Sequence, residues 1–333
     1  MGTRRTLVLV AGSGRSGTSL LAGILQRLGF HVPQPEVPAD DTNPRGFGES
    51  QWVVDFHTAL LERARVQVAD ARPAAWAQTA EIGFDPAVER QLRNWLAREF
   101  AEHDHLVVKD PRLCWFIPLW RRCGEAAGAT PGFVTMVRHP AAVVDSKQRS
   151  YGGWQGDVGR TAGWVNQTLF TERATRDAPR TFVRYDALLA DWTETIGRVG
   201  EALDLAAVRD APAPAMRHVH EFVDRSLNRS RPDWGDTRIP EPLRALAERT
   251  FELVSQPAAQ PERLDAARAA YVDLYEQAEA IAQSSVAAGR RPPSPAARLP
   301  RPAASLMRRI PRRFRHRVPL RWRQRLIGVV AGR

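Results

Sequence analysis

The sequence predicts an α/β fold: a parallel β-sheet flanked by helices on both faces. Three observations carry that expectation. Short apolar runs alternate with segments of helical periodicity, the order that right-handed β-α-β crossovers produce. A glycine-rich loop joins the first strand directly to the first helix. The unusual polar clusters, at residues 12–19, 109–112, 138–146 and 184–186, each follow an apolar run. They therefore gather at the carboxyl ends of the strands, where ligands bind in open α/β sheets.

The elements follow in order. Residues 6–11 form a strand, 12–17 a loop and 18–29 a helix that Gly29 ends. Residues 31–50 are rich in Pro, Asp and Gly and read as an irregular loop. A helix spans about 51–65, with Trp52, Val53, Phe56, Leu60 and Leu61 on helical spacing. Residues 66–84 carry no clear pattern. Asp85 caps a helix that starts at Pro86 and reaches about Glu102. Leu106-Val107-Val108 is a short strand ending at Lys109-Asp110-Pro111-Arg112, before a helix over about 113–127. Strand 133–137 ends at Arg138-His139-Pro140 and a helix carrying Val143, Val144 and Ser146 follows. A further helix over about 159–177 leads to strand 181–184, and Tyr185-Asp186 opens a helix to about Leu203.

A chain of 333 residues with 43% hydrophobic content can bury a large core. No run approaches the length of a membrane span. The start, Met1-Gly2-Thr3-Arg4-Arg5-Thr6, leads into a strand too short for a signal peptide, so a cytoplasmic location is expected. Cys114 and Cys123 fit a reducing compartment and form no metal constellation. The net charge of +11 is unevenly placed: residues 280–333 hold 14 Arg and no Asp or Glu. Two domains are expected: an α/β domain over 1–283 and a Pro/Arg-rich basic tail over 284–333. Lys109 and Lys147 are the only lysines, against 46 arginines.

The loop Gly12-Ser13-Gly14-Arg15-Ser16-Gly17-Thr18-Ser19 is a phosphate cradle: backbone N–H groups and a helix dipole face an anion. It departs from the Walker A pattern because Thr18, not lysine, follows Gly17. The cation, Arg15, lies two residues before Gly17. Arg15-Ser16-Gly17-Thr18-Ser19 resembles the 5′-phosphosulfate loop of sulfotransferases that use 3′-phosphoadenosine 5′-phosphosulfate (PAPS). The resemblance covers about residues 6–230 and extends to a second element. There a strand ends in Arg138, Pro140 follows, and Ser146 stands eight residues after the Arg, the spacing with which the family binds the 3′-phosphate. It implies a P-loop-like sulfotransferase architecture. Gly14, Arg15, Ser16, Gly17, Thr18, Ser19, Arg138, Ser146 and Tyr185 would bind the donor. Tyr185 matches a tyrosine that approaches the adenine, and Val223–Arg229 resembles a late loop that closes over the donor in bacterial members.

The position after Lys109-Asp110 is Pro111, where the soluble eukaryotic members carry a histidine base. Asn43-Pro44-Arg45-Gly46-Phe47-Gly48-Glu49 resembles a stretch of bacterial members, and glycan-modifying relatives use a glutamate. Glu49 is the candidate base and Glu36 the runner-up; Ser50 is the better helix cap. His57 and His139 read as structural or surface residues. The implied reaction is in-line sulfuryl transfer to a hydroxyl of a glycan, glycolipid or secondary metabolite. Glu49 takes the proton, and Arg15 and Lys109 neutralise developing charge without a metal. Trp52, Trp76, Trp154 and Trp164 are candidates to line the acceptor cleft, or to pack. Two other readings stand beside this one. A nucleotide or small-molecule kinase would use Asp110 for magnesium, and a non-catalytic nucleotide-binding domain would carry an anion-binding tail. The tail from about 290 has arginines interleaved with Leu, Ile, Phe and Trp, which fits docking on an anionic membrane surface, in competition with a solvated tail. Nucleic acid is disfavoured as a partner. Co-sedimentation with anionic liposomes, full chain against a truncation at 285, decides between these.

Overall fold

A computed structural model describes residues 5–152, 155–228, 231–235, 237–256 and 260–289. The chain divides into two compact units, Met1–Tyr275 and Glu276–Arg333. The basic tail from 290, with every arginine read as a membrane contact, lies outside the described residues, as does Trp154.

Four strands make one parallel sheet: β1 (Thr6–Ala11), β2 (His105–Lys109), β3 (Thr130–Val137) and β4 (Arg180–Arg184), in the order β2-β1-β3-β4. The helices are α1 (Thr18–Arg27), α2 (Gln51–Ala64), α3 (Ala75–Gly83), α4 (Pro86–Glu102), α5 (Ile117–Ala126), α6 (Pro140–Tyr151) and α7 (Asp157–Ala174). After β4 come α8 (Tyr185–Ala190), α9 (Trp192–Ala202), α10 (Ala206–Arg209), α11 (Ala213–Phe222), α12 (Glu241–Val254) and α13 (Pro261–Gly289). The parallel α/β sheet expected from the sequence is the observed fold.

Strand geometry explains how one short apolar run serves two cores. Successive side chains of β1 point to opposite faces. Leu7, Leu9 and Ala11 pack into a core with α2, α4 and α5, while Val8 and Val10 pack with α1, α9 and Leu188 of α8. Covered on both faces, the strand is apolar throughout. The register places the strand ends side by side: Val10 pairs with Lys109, and Ala11 with Thr135. Lys109 therefore arrives next to the loop that leaves β1.

Several elements differ from the expectation. Residues 75–83, unassigned from sequence, form α3. The expected helix over 113–127 opens as a 3-10 turn, Leu113–Phe116, before α5. The expected helix from 185 to 203 breaks at Asp191, whose side chain accepts from Glu194 N at 3.0 Å and starts α9 afresh. A short acidic side chain that bonds the backbone ahead of it favours a cap over a helix interior.

Three of the four candidate tryptophans, Trp52, Trp76 and Trp164, are structural. Trp52 stacks on Trp95 with ring centroids 4.4 Å apart, Trp76 stacks on Phe170 at 4.9 Å, and Trp164 is buried with α12 and α13. Trp52, Trp76 and Trp164 pack in the cores, not along the main cavity. The buried Tyr271 hydroxyl of α13 donates to Ala71 O in the loop before α3. Tyr271→Phe removes one neutral, partly buried hydrogen bond, a cost of about 0.5–1.5 kcal/mol. Thermal denaturation should show Tm lower by roughly 1–5 °C; an unchanged Tm would show that this bond anchors nothing.

Candidate active site

The loop after β1 is shaped by two glycines. Gly12 has φ 136°, and a Cβ there would sit 2.6 Å from Met136 O on β3. Gly17 has φ 89°, and a Cβ would fall 2.2 Å from the Tyr185 ring. Neither position accepts another residue without moving backbone or ring. Gly17 is also the N-cap of α1 and offers no side-chain cap. The first N–H groups of α1, at Thr18 and Ser19, are thus left for an anion. Ser16 Oγ is fully buried and has no hydrogen-bond partner among the described residues. Buried polar atoms are seldom left unpaired, so this one fits a loop built to receive a ligand oxygen. Gly14 and Arg15 line the cavity above it, Arg15 in the left-handed region at φ 73°.

Arg15, Arg138 and Ser146 come together, with Arg15 in the middle. Arg15 Nε donates to Ser146 Oγ at 3.1 Å, and Arg138 Nη1 donates to Arg15 O at 3.0 Å. The Arg138 guanidinium lies over the Tyr185 ring, 4.6 Å from its centroid, and Nη2 donates to Asn228 Oδ1 at 2.6 Å. Tyr185 opens α8 and packs its ring on Gly17. The segment after α11 closes this end: Asp224 takes Arg45 at 3.0 Å, joining it to the 41–48 loop. Arg15 Nη1 reaches the same loop at Thr42 O, 3.3 Å.

The second cluster lies at the end of β2. Lys109 Nζ donates to Ser19 Oγ at 3.1 Å and to Glu49 Oε1, and both charged side chains are buried. Burial pushes the Glu49 carboxyl up and Lys109 pulls it back; the net direction is upward. Glu49 precedes Ser50, the N-cap of α2, whose hydroxyl makes no cap bond. Glu36 is elsewhere: it accepts from Gln26 at 2.7 Å and from Gln34 at 3.1 Å, outside the cavity.

Asp110 points away from the cavity. Its burial works to raise the carboxyl, but His57 and Arg112 outweigh that and hold it below the usual range. Trp120 Nε1 donates to His57 Nε2 at 2.8 Å, which leaves the proton on Nδ1, 3.5 Å from Asp110 Oδ2. His57 is thus a core residue. His139 is likewise committed to packing, edge-on to Trp234 and Phe251. Both cysteines are buried and free. Among the described residues no group of three or more His, Cys, Asp or Glu is arranged to hold a metal ion, and no helix is long and apolar enough to cross a membrane.

Sequence reasoning missed Ser13 and Lys147 as site residues. Lys147 Nζ donates to Ser13 Oγ at 3.0 Å, and both side chains are buried. Lysine scarcity was the available signal: the two lysines of the chain each grip a loop serine, one from β2 and one from α6. The cavity, about 1030 Å³, is lined by the loop, by 41–47, by 66–69, by the C-terminal half of α6 and by Arg160 and Gln167 of α7. That is ample for a nucleotide together with a second molecule.

Fold and site define a parallel α/β protein with a glycine-rich loop between β1 and α1 and with cations that come from outside the Walker lysine position. The chain belongs to the Sulfotransferase family, whose pattern matches residues 8–210. Two solved structures are similar. One is the sulfotransferase domain from the Synechococcus PCC 7002 olefin synthase: TM-score 0.45, 17% identity, 78% of this chain and 97% of that chain covered. The other is the sulfotransferase domain from the curacin biosynthetic pathway: TM-score 0.42, 17% identity, 76% and 99% covered. No curated protein matches the chain.

Proposed function

We propose that this sulfotransferase takes its sulfuryl group from PAPS and delivers it to a hydroxyl of a glycan, glycolipid or other secondary metabolite, with Glu49 as the base. The observation that carries the reading is the convergence of Lys109, Glu49 and Ser19 at one end of the loop with Arg15, Ser146, Arg138 and Tyr185 at the other. The residues fit the donor: an uncapped helix N-terminus and three cations line the same cavity, and the loop between them holds a buried Ser16 hydroxyl with no partner among the described residues. When bound, the donor supplies an activated sulfuryl group. Arg138 and Ser146 hold its 3′-phosphate and Tyr185 borders its base. Glu49 accepts the proton of the acceptor hydroxyl. Lys109 and Arg15 stabilise negative charge as the acceptor oxygen bonds to sulfur and the bridging oxygen departs with 3′,5′-ADP.

The kinase reading loses its acidic strand end, because Asp110 is buried and committed to Arg112 and His57. Thermal-shift ranking tests the proposal. 3′,5′-ADP should raise Tm more than 5′-ADP or magnesium-ATP. A larger shift with magnesium-ATP would restore the kinase reading, and no shift with any of them would favour a non-catalytic scaffold.

A further inference from the structure

We infer that Lys147 and Arg160 form an oxyanion subsite on the acceptor side of the cavity, so that the acceptor carries a carboxylate, phosphate or sulfate group besides its hydroxyl. The inference rests on the donor assignment above and goes beyond it. Lys147 is 6% exposed and Arg160 is 3% exposed, yet both line the cavity. Lys147 has a hydroxyl partner, Ser13, and the charge that acts on it most strongly is that of Arg160, of the same sign. Arg160 faces Asp157 at 3.4 Å and donates to Gly152 O. One carboxylate thus serves two buried cations, and one positive charge stays uncompensated. Burying an unpaired ammonium is costly unless an anion joins it. Desolvation and Arg160 together push the Lys147 pKa down to about 8.

The position assigns this charge to the acceptor. The nucleotide end is built from the end of β3, the start of α8 and the 223–228 segment, through Arg138, Tyr185 and Asn228. Lys147 instead faces Arg160 of α7 and Cys114 of the turn after β2. Burial pushes the Cys114 thiol far up, so it stays neutral. Gln167 of α7 donates to Cys114 Sγ and to Val68 O, on the 66–69 wall. Its Oε1 is buried, borders the cavity and has no partner among the described residues. A ligand with an oxyanion toward Lys147 and a second O–H or N–H, apart from the reacting hydroxyl at Glu49, toward Gln167 Oε1 satisfies both groups.

The test uses the full chain saturated with 3′,5′-ADP and a matched pair of probes, benzoate and benzamide, followed by calorimetry. At pH 7 benzoate should bind at least about tenfold more tightly than benzamide, as expected for a charge-assisted contact with a buried ammonium. Lys147 loses its proton above about pH 8, so the advantage should fall by about tenfold toward pH 9. Lys147→Met should remove most of the advantage and all of its pH dependence below pH 9, with 3′,5′-ADP affinity measured in the variant alongside because Lys147 also holds Ser13 of the loop. Lys147→Arg should keep the advantage and lose its pH dependence, which a purely structural lysine would not do. Equal binding of the two probes, or binding of neither, overturns the subsite. Should Lys147→Met fail to fold, the pH series on the unaltered chain still decides. Should 3′,5′-ADP itself fail to bind, the donor reading falls, and the same titration without nucleotide still decides the subsite.

Discussion

Glu49→Gln should lower kcat by a factor on the order of 10²–10⁴, the usual cost of losing a positioned general base, while 3′,5′-ADP still binds. Glutamine keeps the shape of the side chain but cannot accept a proton as a carboxylate does. The side chain sits on Lys109, which itself holds Ser19 of the donor loop, so the base and the cation are fixed to one another and to the loop. The pH profile gives a second readout. Burial raises the Glu49 pKa above the ordinary 4.5, with Lys109 opposing. The base acts when ionised, so kcat/KM should rise with pH through an acid limb placed above the ordinary carboxylate range. Glu49→Gln should remove that limb. Persistent 3′,5′-ADP affinity in the variant separates lost chemistry from a collapsed site, since the substitution also leaves Lys109 without its anion. Near-normal turnover would end the assignment, and Glu36, tied to Gln26 and Gln34 outside the cavity, is not placed to inherit it.

The strands and the glycine-rich loop after β1 were legible because their causes are local. Four apolar runs, a glycine loop and a Pro-started helix after Arg138 announce themselves through spacing. Glu49 and Lys109 were named from separate stretches of chain, and their meeting depends on the register that sets Val10 beside Lys109. Lys147 was not legible as a site residue. It follows Ser146 on α6, and no spacing rule says that its ammonium turns back to Ser13, whose codon position is 134 residues away. Asp110 shows the converse. A carboxylate at a strand end reads as a metal ligand until the fold sets His57, 53 residues upstream, and Arg112 against it. Trp52, Trp76 and Trp164 could read as cleft residues though tryptophan is more often packing, and contact with Trp95, Phe170 and the α12–α13 layer assigns them to the cores.

Arg138→Ala should erase most of the discrimination between 3′,5′-ADP and 5′-ADP. Two of the five guanidinium N–H donors are spent on Arg15 O and Asn228 Oδ1, and the plane is steadied over Tyr185. Among the described residues the remaining donors have no hydrogen-bond partner, which leaves them to meet a phosphate beside Ser146. A hydrogen bond to a charged group contributes about 1.5–3 kcal/mol, so the affinity ratio of the two nucleotides should fall by roughly 10- to 100-fold. The ratio is the quantity to measure. Arg138 also supports the backbone of Arg15, and its loss should weaken both nucleotides to a common extent that cancels. Arg138→Lys keeps one charge but gives up the planar fork and the stack on Tyr185, and should recover only part of the ratio. Isothermal titration of both nucleotides against the three proteins gives the comparison. A ratio that stays unchanged in Arg138→Ala would place the 3′-phosphate elsewhere, with Arg138 left as the clamp between the donor loop and Asn228.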